Sequence, residues 1–110
     1  MRSLLTLGAA FISAHCMAQT GPVNNLAAAA ELAKANGCYS CHAAFEKIVG
    51  PAFRDVAAKY KDDKDAVASL AQSIQYGSKG KWGRIPMPAH AALSSSDLKA
   101  LAGWVMATQP

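Results

Sequence analysis

Apolar residues recur at helical spacing in three stretches of the chain. Phe53, Val56, Ala57 and Tyr60 fall at i, i+3, i+4 and i+7, which puts them on one face of a short helix. Val67, Leu70, Ala71 and Ile74 repeat the spacing, and Gly77 stops that helix. Leu98, Leu101, Ala102 and Val105 form a third stripe. Its start is marked by Ser94 and Asp97 as a capping box, with Leu93 and Leu98 at the positions of a hydrophobic staple. Ahead of these, Leu26 to Asn36 is alanine-rich and high in helix propensity, and Asn36-Gly37 closes it. Its small residues Ala29, Ala30 and Ala33 allow a partner helix to come close. No alternating run is long enough for a strand, and no internal repeat is present. The pattern predicts an all-α domain of four helices.

Two segments stand outside that pattern. Gly77 to Ala92 holds three Gly and two Pro and has no helical period, so it reads as a long loop. Loops of this length in a small domain are usually functional. At the other end, Leu4 to Ile12 is an uncharged apolar block behind Arg2. It spans about ten residues where a membrane helix needs ~20. With small residues at Cys16 and Ala18, residues 1–18 read as a secretory signal peptide cleaved before Gln19. The domain is then 19–110, 92 of the 110 residues. Export places it in the periplasm, with no membrane insertion after cleavage.

Composition changes the picture of the core. Hydrophobic residues make up 52% of the chain but aromatic residues only 7%, and alanine supplies much of the difference. That excludes a disordered polyampholyte. It also leaves little large side-chain area for a core, at ~25 cal/mol per Å² buried. A group that is not an amino acid is therefore expected to fill the middle. The net charge is +4, and the basic residues form no run, so a nucleic-acid partner is not indicated. Cleavage removes Arg2 and Cys16, leaving ten basic residues against seven acidic ones and two cysteines, Cys38 and Cys41.

Those cysteines lie in Cys38-Tyr39-Ser40-Cys41-His42, the C-x-x-C-H pattern of covalent haem attachment. Two thiols at this spacing can add to the two vinyl groups of one porphyrin, and the adjacent histidine can swing under the iron. A thioredoxin-type dithiol needs a strand before the motif, and here a helix precedes it. A structural zinc site needs a second ligand pair. A plain disulfide leaves His42 without a role. For the opposite face of the iron, Met87 lies in Ile85-Pro86-Met87-Pro88 within the long loop. Proline on both sides pre-sets the backbone and prevents helix. Met106, in the last helix, reads as core filler.

With these motifs the chain resembles the short bacterial class I monohaem cytochromes c of respiratory and denitrifying chains. Cys38 to His42, the run Val49 to Tyr60, the Gly77 to Gly83 loop with Trp82, and Ile85 to Pro88 carry the resemblance. It implies a cytochrome c fold: helices wrapped around one covalent haem c, with the N- and C-terminal helices crossing. It implies thioethers at Cys38 and Cys41 and axial bonds from His42 and Met87. It further implies that the Pro51 carbonyl takes a hydrogen bond from His42 and that Trp82 donates to a haem propionate. Two positions depart from the family pattern. His90 stands where an asparagine often touches the methionine side, and its replacing that contact, facing solvent or displacing Met87 all remain open. Ser73 stands where a basic residue often faces the other propionate, which leaves that charge less compensated.

The implied function is electron transport rather than catalysis. A haem with both axial positions filled has no site for substrate and exchanges single electrons. The partners are redox proteins, a respiratory donor and a reductase or oxidase acceptor, met by a monomeric carrier. The alternative is a dedicated cytochrome subunit of a periplasmic dehydrogenase or oxidase, which needs a larger and more apolar surface. A third class is a five-coordinate haem that binds CO, NO or peroxide. Lys47, Lys79, Lys81 and Arg84 are candidates for steering an acidic partner.

Overall fold

The computed structural model describes residues 26–108. The expected signal peptide lies outside the described residues. Among them the regular elements are four α-helices and one 3₁₀ turn: α1 (Leu26–Ala35), the turn Cys38–Ser40, α2 (Phe53–Tyr60), α3 (Ala66–Tyr76) and α4 (Ser95–Met106). No helix among them is long and apolar enough to cross a membrane.

Helix α4 is the hub, packing against α1, α2 and α3. Its expected stripe is the observed one, with Leu98, Leu101, Ala102 and Val105 all buried. Close approach of α1 is possible because the buried residues there are only Ala29 and Ala33. Ala33 on α1 and Ala102 on α4 are both fully buried. Helix α2 buries Phe53, Val56 and Ala57 as its spacing predicts. The cap of α4 also forms, with the Asp97 backbone N–H donating to Ser94 Oγ at 3.1 Å. That bond satisfies one of the free donors at the helix start.

Helix α3 keeps most of the expected face: Leu70 is buried, and Ala71 and Ile74 are half-buried. Val67 departs from it, 39% exposed, while the neighbouring Ala66 is buried. Alanine scores as apolar whether or not it is buried, so the pattern alone did not separate Ala66 from Val67.

The connections have specific causes. Helix α1 ends at Gly37, whose φ of 72° is left-handed and open to glycine. The Cys38–Ser40 turn follows at once, and the His42 backbone N–H returns to the Cys38 carbonyl at 2.9 Å. The expected long loop is irregular throughout, but it is pinned. Ser78 and Met87 exchange backbone hydrogen bonds at 3.1 and 2.9 Å, and the His90 N–H reaches the Ile74 carbonyl at 2.9 Å. Phe53, Val56, Leu70, Ala102 and Val105 form one buried cluster, with Tyr60, Trp82, Trp104 and Met106 packed at its edge. Met106 is thus core filler, as expected.

Candidate functional site

A cleft opens beside this cluster. Its lining is almost wholly apolar, and it gathers side chains from every part of the chain between Cys38 and Val105. Five residues singled out in the sequence meet there: Cys38, His42, Pro51, Trp82 and Met87. Cys41 lies in the same short segment, half-buried, but does not line the cleft. Both cysteines are free thiols. Burial pushes the Cys38 thiol up from its ordinary value, against a smaller lowering by a backbone hydrogen bond. A working dithiol centre needs the opposite shift, because the thiolate is the reactive form.

His42 is held from three sides. Its ring Nδ1 lies 2.7 Å from the Pro51 carbonyl oxygen. A carbonyl only accepts, so Nδ1 carries a proton, which in the neutral imidazole leaves the lone pair on Nε2. Phe53 stacks on the ring, with centroids 5.0 Å apart and planes 21° from parallel. Gly50 closes the third side. A Cβ there would lie 2.6 Å from His42 Cε1, closer than real side chains come. Pro51 itself sits two residues before α2 begins, so its carbonyl is free for this bond.

Met87 is held by backbone rather than by neighbouring rings. Its exchange of hydrogen bonds with Ser78 fixes the strand direction of the loop. Gly77, at φ 76°, passes so close that an added Cβ would strike the Met87 carbonyl oxygen. Proline on either side does the rest.

Sequence reasoning missed an aromatic cluster. Phe53 meets Trp104 edge-on at 4.9 Å, and Tyr39 meets both Phe53 and Trp104 at 6.0 and 6.1 Å. Trp104 lines the cleft, and its signal was its place three residues after Leu101 on the buried side of α4. His90 is neither solvent-facing at Nδ1 nor a member of the cleft lining. Nδ1 is buried without a hydrogen-bond partner. Of the basic candidates, Lys81 is engaged at the cleft, its Nζ donating to Ser73 Oγ at 3.1 Å. All four, Lys81 included, are exposed.

The residues present fit a haem. The cleft is apolar, Cys38 lines it with Cys41 in the same short segment, and a histidine and a methionine, His42 and Met87, belong to its lining. The glycine beside His42 leaves room for an upright imidazole.

Comparisons with known proteins agree. A family profile described as cytochrome c matches residues 26–109. Cytochrome c-552 of Nitrosomonas europaea is 52% identical over 77 residues, 70% of this chain and 75% of that one. Cytochrome c-551 of Pseudomonas aeruginosa is 51% identical over 75 residues, 68% of this chain and 71% of that one. The crystal structure of the Nitrosomonas europaea protein superposes with a TM-score of 0.70 at 50% identity, covering 73% of this chain and 99% of that chain. A class 1 cytochrome from Sideroxydans lithotrophicus superposes with a TM-score of 0.67 at 26% identity, covering 78% of this chain and 98% of that chain.

Proposed function

The chain belongs to the cytochrome c family and carries covalent haem c, and on that premise we propose that it is a periplasmic one-electron carrier with His42 and Met87 as the axial ligands. Electron carriage is the property of the family; the compartment and the ligand pair are the finer reading. The observation that carries the ligand pair is that His42 and Met87 line one apolar cleft, with His42 Nδ1 committed to Pro51.

Each residue then has a task. Cys38 and Cys41 hold the haem by thioether bonds, which keeps it bound where lost haem would diffuse away. The Pro51 carbonyl orients the imidazole and strengthens it as a donor. Phe53 and Gly50 restrict the ring's tilt. The Met87 sulfur, a weak and polarisable donor, favours the reduced state relative to a second histidine. Trp82 offers its indole N–H to a propionate. When bound, the haem supplies Fe(III)/Fe(II) exchange without bond-making chemistry. The apolar walls limit reorganisation around it.

Optical spectra of the oxidised and reduced protein, with a redox titration, test this reading. A methionine–iron charge-transfer band and slow CO binding by the ferrous form are expected. Rapid CO binding at neutral pH defeats Met87 ligation and favours a ligand-binding haem.

One observation supports the alternative of a dedicated subunit. Phe45, Ile48 and Val49, close after His42, are 53%, 48% and 45% exposed. An apolar run of this kind suits a lasting partner better than scattered surface residues do. Gel filtration of the natively purified protein separates the two readings, since a free carrier elutes as a monomer.

A further inference from the structure

Lys81 is the single charged side chain lining an otherwise apolar cleft. Its ammonium donates to the Ser73 hydroxyl on α3, a neutral acceptor. The ion pairs among the described residues, Glu31 with Lys34 and Arg54 with Asp55, do not involve it. Lys81 is exposed at the rim of the cleft, so its ammonium keeps water, and an anionic group seated in the cleft would meet it there as a charge-assisted hydrogen-bond donor. Two of its three donors are uncommitted, and Ser73, whose oxygen accepts, keeps its own O–H to give.

The loop that carries Lys81 is tied down. Lys59 on α2 lies 4.5 Å over the Trp82 ring, and its Nζ donates to the Lys81 carbonyl at 3.5 Å. One lysine thus holds the loop to α2, while the side chain of the next crosses to α3. Around this rim the charged or titratable groups are Lys81 on the loop and Lys59 and Tyr60 on α2. From α3 comes only the Ser73 hydroxyl, from α4 no such group, and no carboxylate lines the cleft.

We infer that Lys81 and Ser73 form an anion subsite that takes one carboxylate of the bound haem. The inference rests on the haem reading above. The serine that leaves α3 without a basic side chain is paired with a lysine supplied by the loop. The positive charge is displaced eight residues along the chain, and the carboxylate is compensated after all. With N–H and O–H donors converging on it, the carboxylate stays ionised through neutral pH. Reduction removes one positive charge at the iron and favours proton uptake by a nearby carboxylate. Holding that carboxylate ionised in both states keeps the potential independent of pH in the neutral range.

The test uses the haem-loaded protein and follows the propionate methylene NMR signals and the midpoint potential from pH 5 to 9. Lys81→Met is expected to raise the carboxyl pKa by about one unit, tenfold in proton affinity, and to give the potential a pH slope absent from the wild type. Lys81→Arg restores wild-type behaviour, and Ser73→Ala shifts the pKa in the same direction by less. Lys79→Met removes the same charge from a neighbour that does not line the cleft and leaves the titration near that of the wild type. A haem-loaded Lys81→Met that titrates like the wild type, or a Lys79→Met that shifts it equally, overturns this inference alone. A wild-type chain with no covalent haem on a denaturing gel overturns the reading beneath it, and this inference with it.

Discussion

The two walls of the cleft are built by different means. On the histidine side, Cys38 to Phe53 is a short stretch whose members bond to one another. His42 N–H returns to Cys38, Gly50 N–H donates to the Cys41 carbonyl at 2.6 Å, and Phe53 N–H donates to the Ala43 carbonyl at 3.0 Å. The ring is then bonded to Pro51 and stacked on Phe53. On the methionine side, Gly77 to Ala92 is a loop held by the Ser78–Met87 exchange, the His90 to Ile74 bond and the lysine ties. One wall is dense and local, the other sparse and hung from distant helices. Opening free energies follow such differences in packing. Ligand loss is therefore expected on the methionine side first.

The largest effect comes from abolishing the anchor. Cys38→Ala with Cys41→Ala removes covalent haem, and with it the material that fills the cleft. The double variant is expected to lose most helical circular dichroism and its cooperative melt, because binding to the folded form alone is lost stability. Native ellipticity with a sharp melt and no haem defeats the idea that the cofactor completes the core.

Next is Met87→Ala, which removes the ligand proposed for the weaker wall and leaves the anchor intact. Covalent haem is retained, the ferrous form binds CO rapidly, and the potential falls by on the order of 0.1 V, within the ~0.8 V that axial ligands span. An unchanged potential and slow CO binding identify another residue as the sixth ligand.

A matched pair of glycine variants sharpens the contrast. Gly77→Ala places a side chain at φ 76° and against the Met87 carbonyl, at about 1–3 kcal/mol of strain. The loop is the part free to give way, so partial CO binding and a weakened charge-transfer band are expected. In Gly50→Ala the Cβ meets the His42 ring, an overpacking of about 1–3 kcal/mol. With the ring fixed by Pro51 and Phe53, the penalty appears as a lower melting temperature while the methionine band persists. If Gly50→Ala frees the methionine as readily as Gly77→Ala does, the two walls are equally soft and the contrast fails.

The same difference explains what could be read from the chain alone. The helices were legible because their stripes are local, and α2 and α4 bury the residues their spacing picks out. The anchor was legible as a contiguous motif, and Met87 through its two prolines. What stayed hidden depends on contacts between distant segments. Trp104 reaches Phe53 from the far end of the chain, and nothing in the spacing of either predicts the pair. Lys81 read as a charge for steering a partner because its contact with Ser73 lies on another element. His90 was open between three roles, and the burial of its Nδ1 follows from packing that the sequence does not spell out. On α3 the one misplaced position, Val67, traces to alanine, which carries no preference strong enough to place Ala66 inside and Val67 outside.

The smallest expected effect is the control for the comparison. Ser94→Ala removes the hydroxyl that accepts the Asp97 N–H at the start of α4. Losing such a cap costs about 1 kcal/mol, a fall in melting temperature of roughly 4–8 °C for a domain of this size. Helix α4 packs on α1, α2 and α3 alike, and Ser94 does not line the cleft. The loss therefore weakens the frame that both walls share and neither wall in particular. Potential, CO binding and the methionine band are expected to match those of the wild type at 25 °C. A Ser94→Ala protein whose methionine band fades well below its global melt shows that the long loop takes its order from the cap of α4. In that case the sparse wall is governed by the helix that follows it rather than by Ser78, Gly77 and the two lysines.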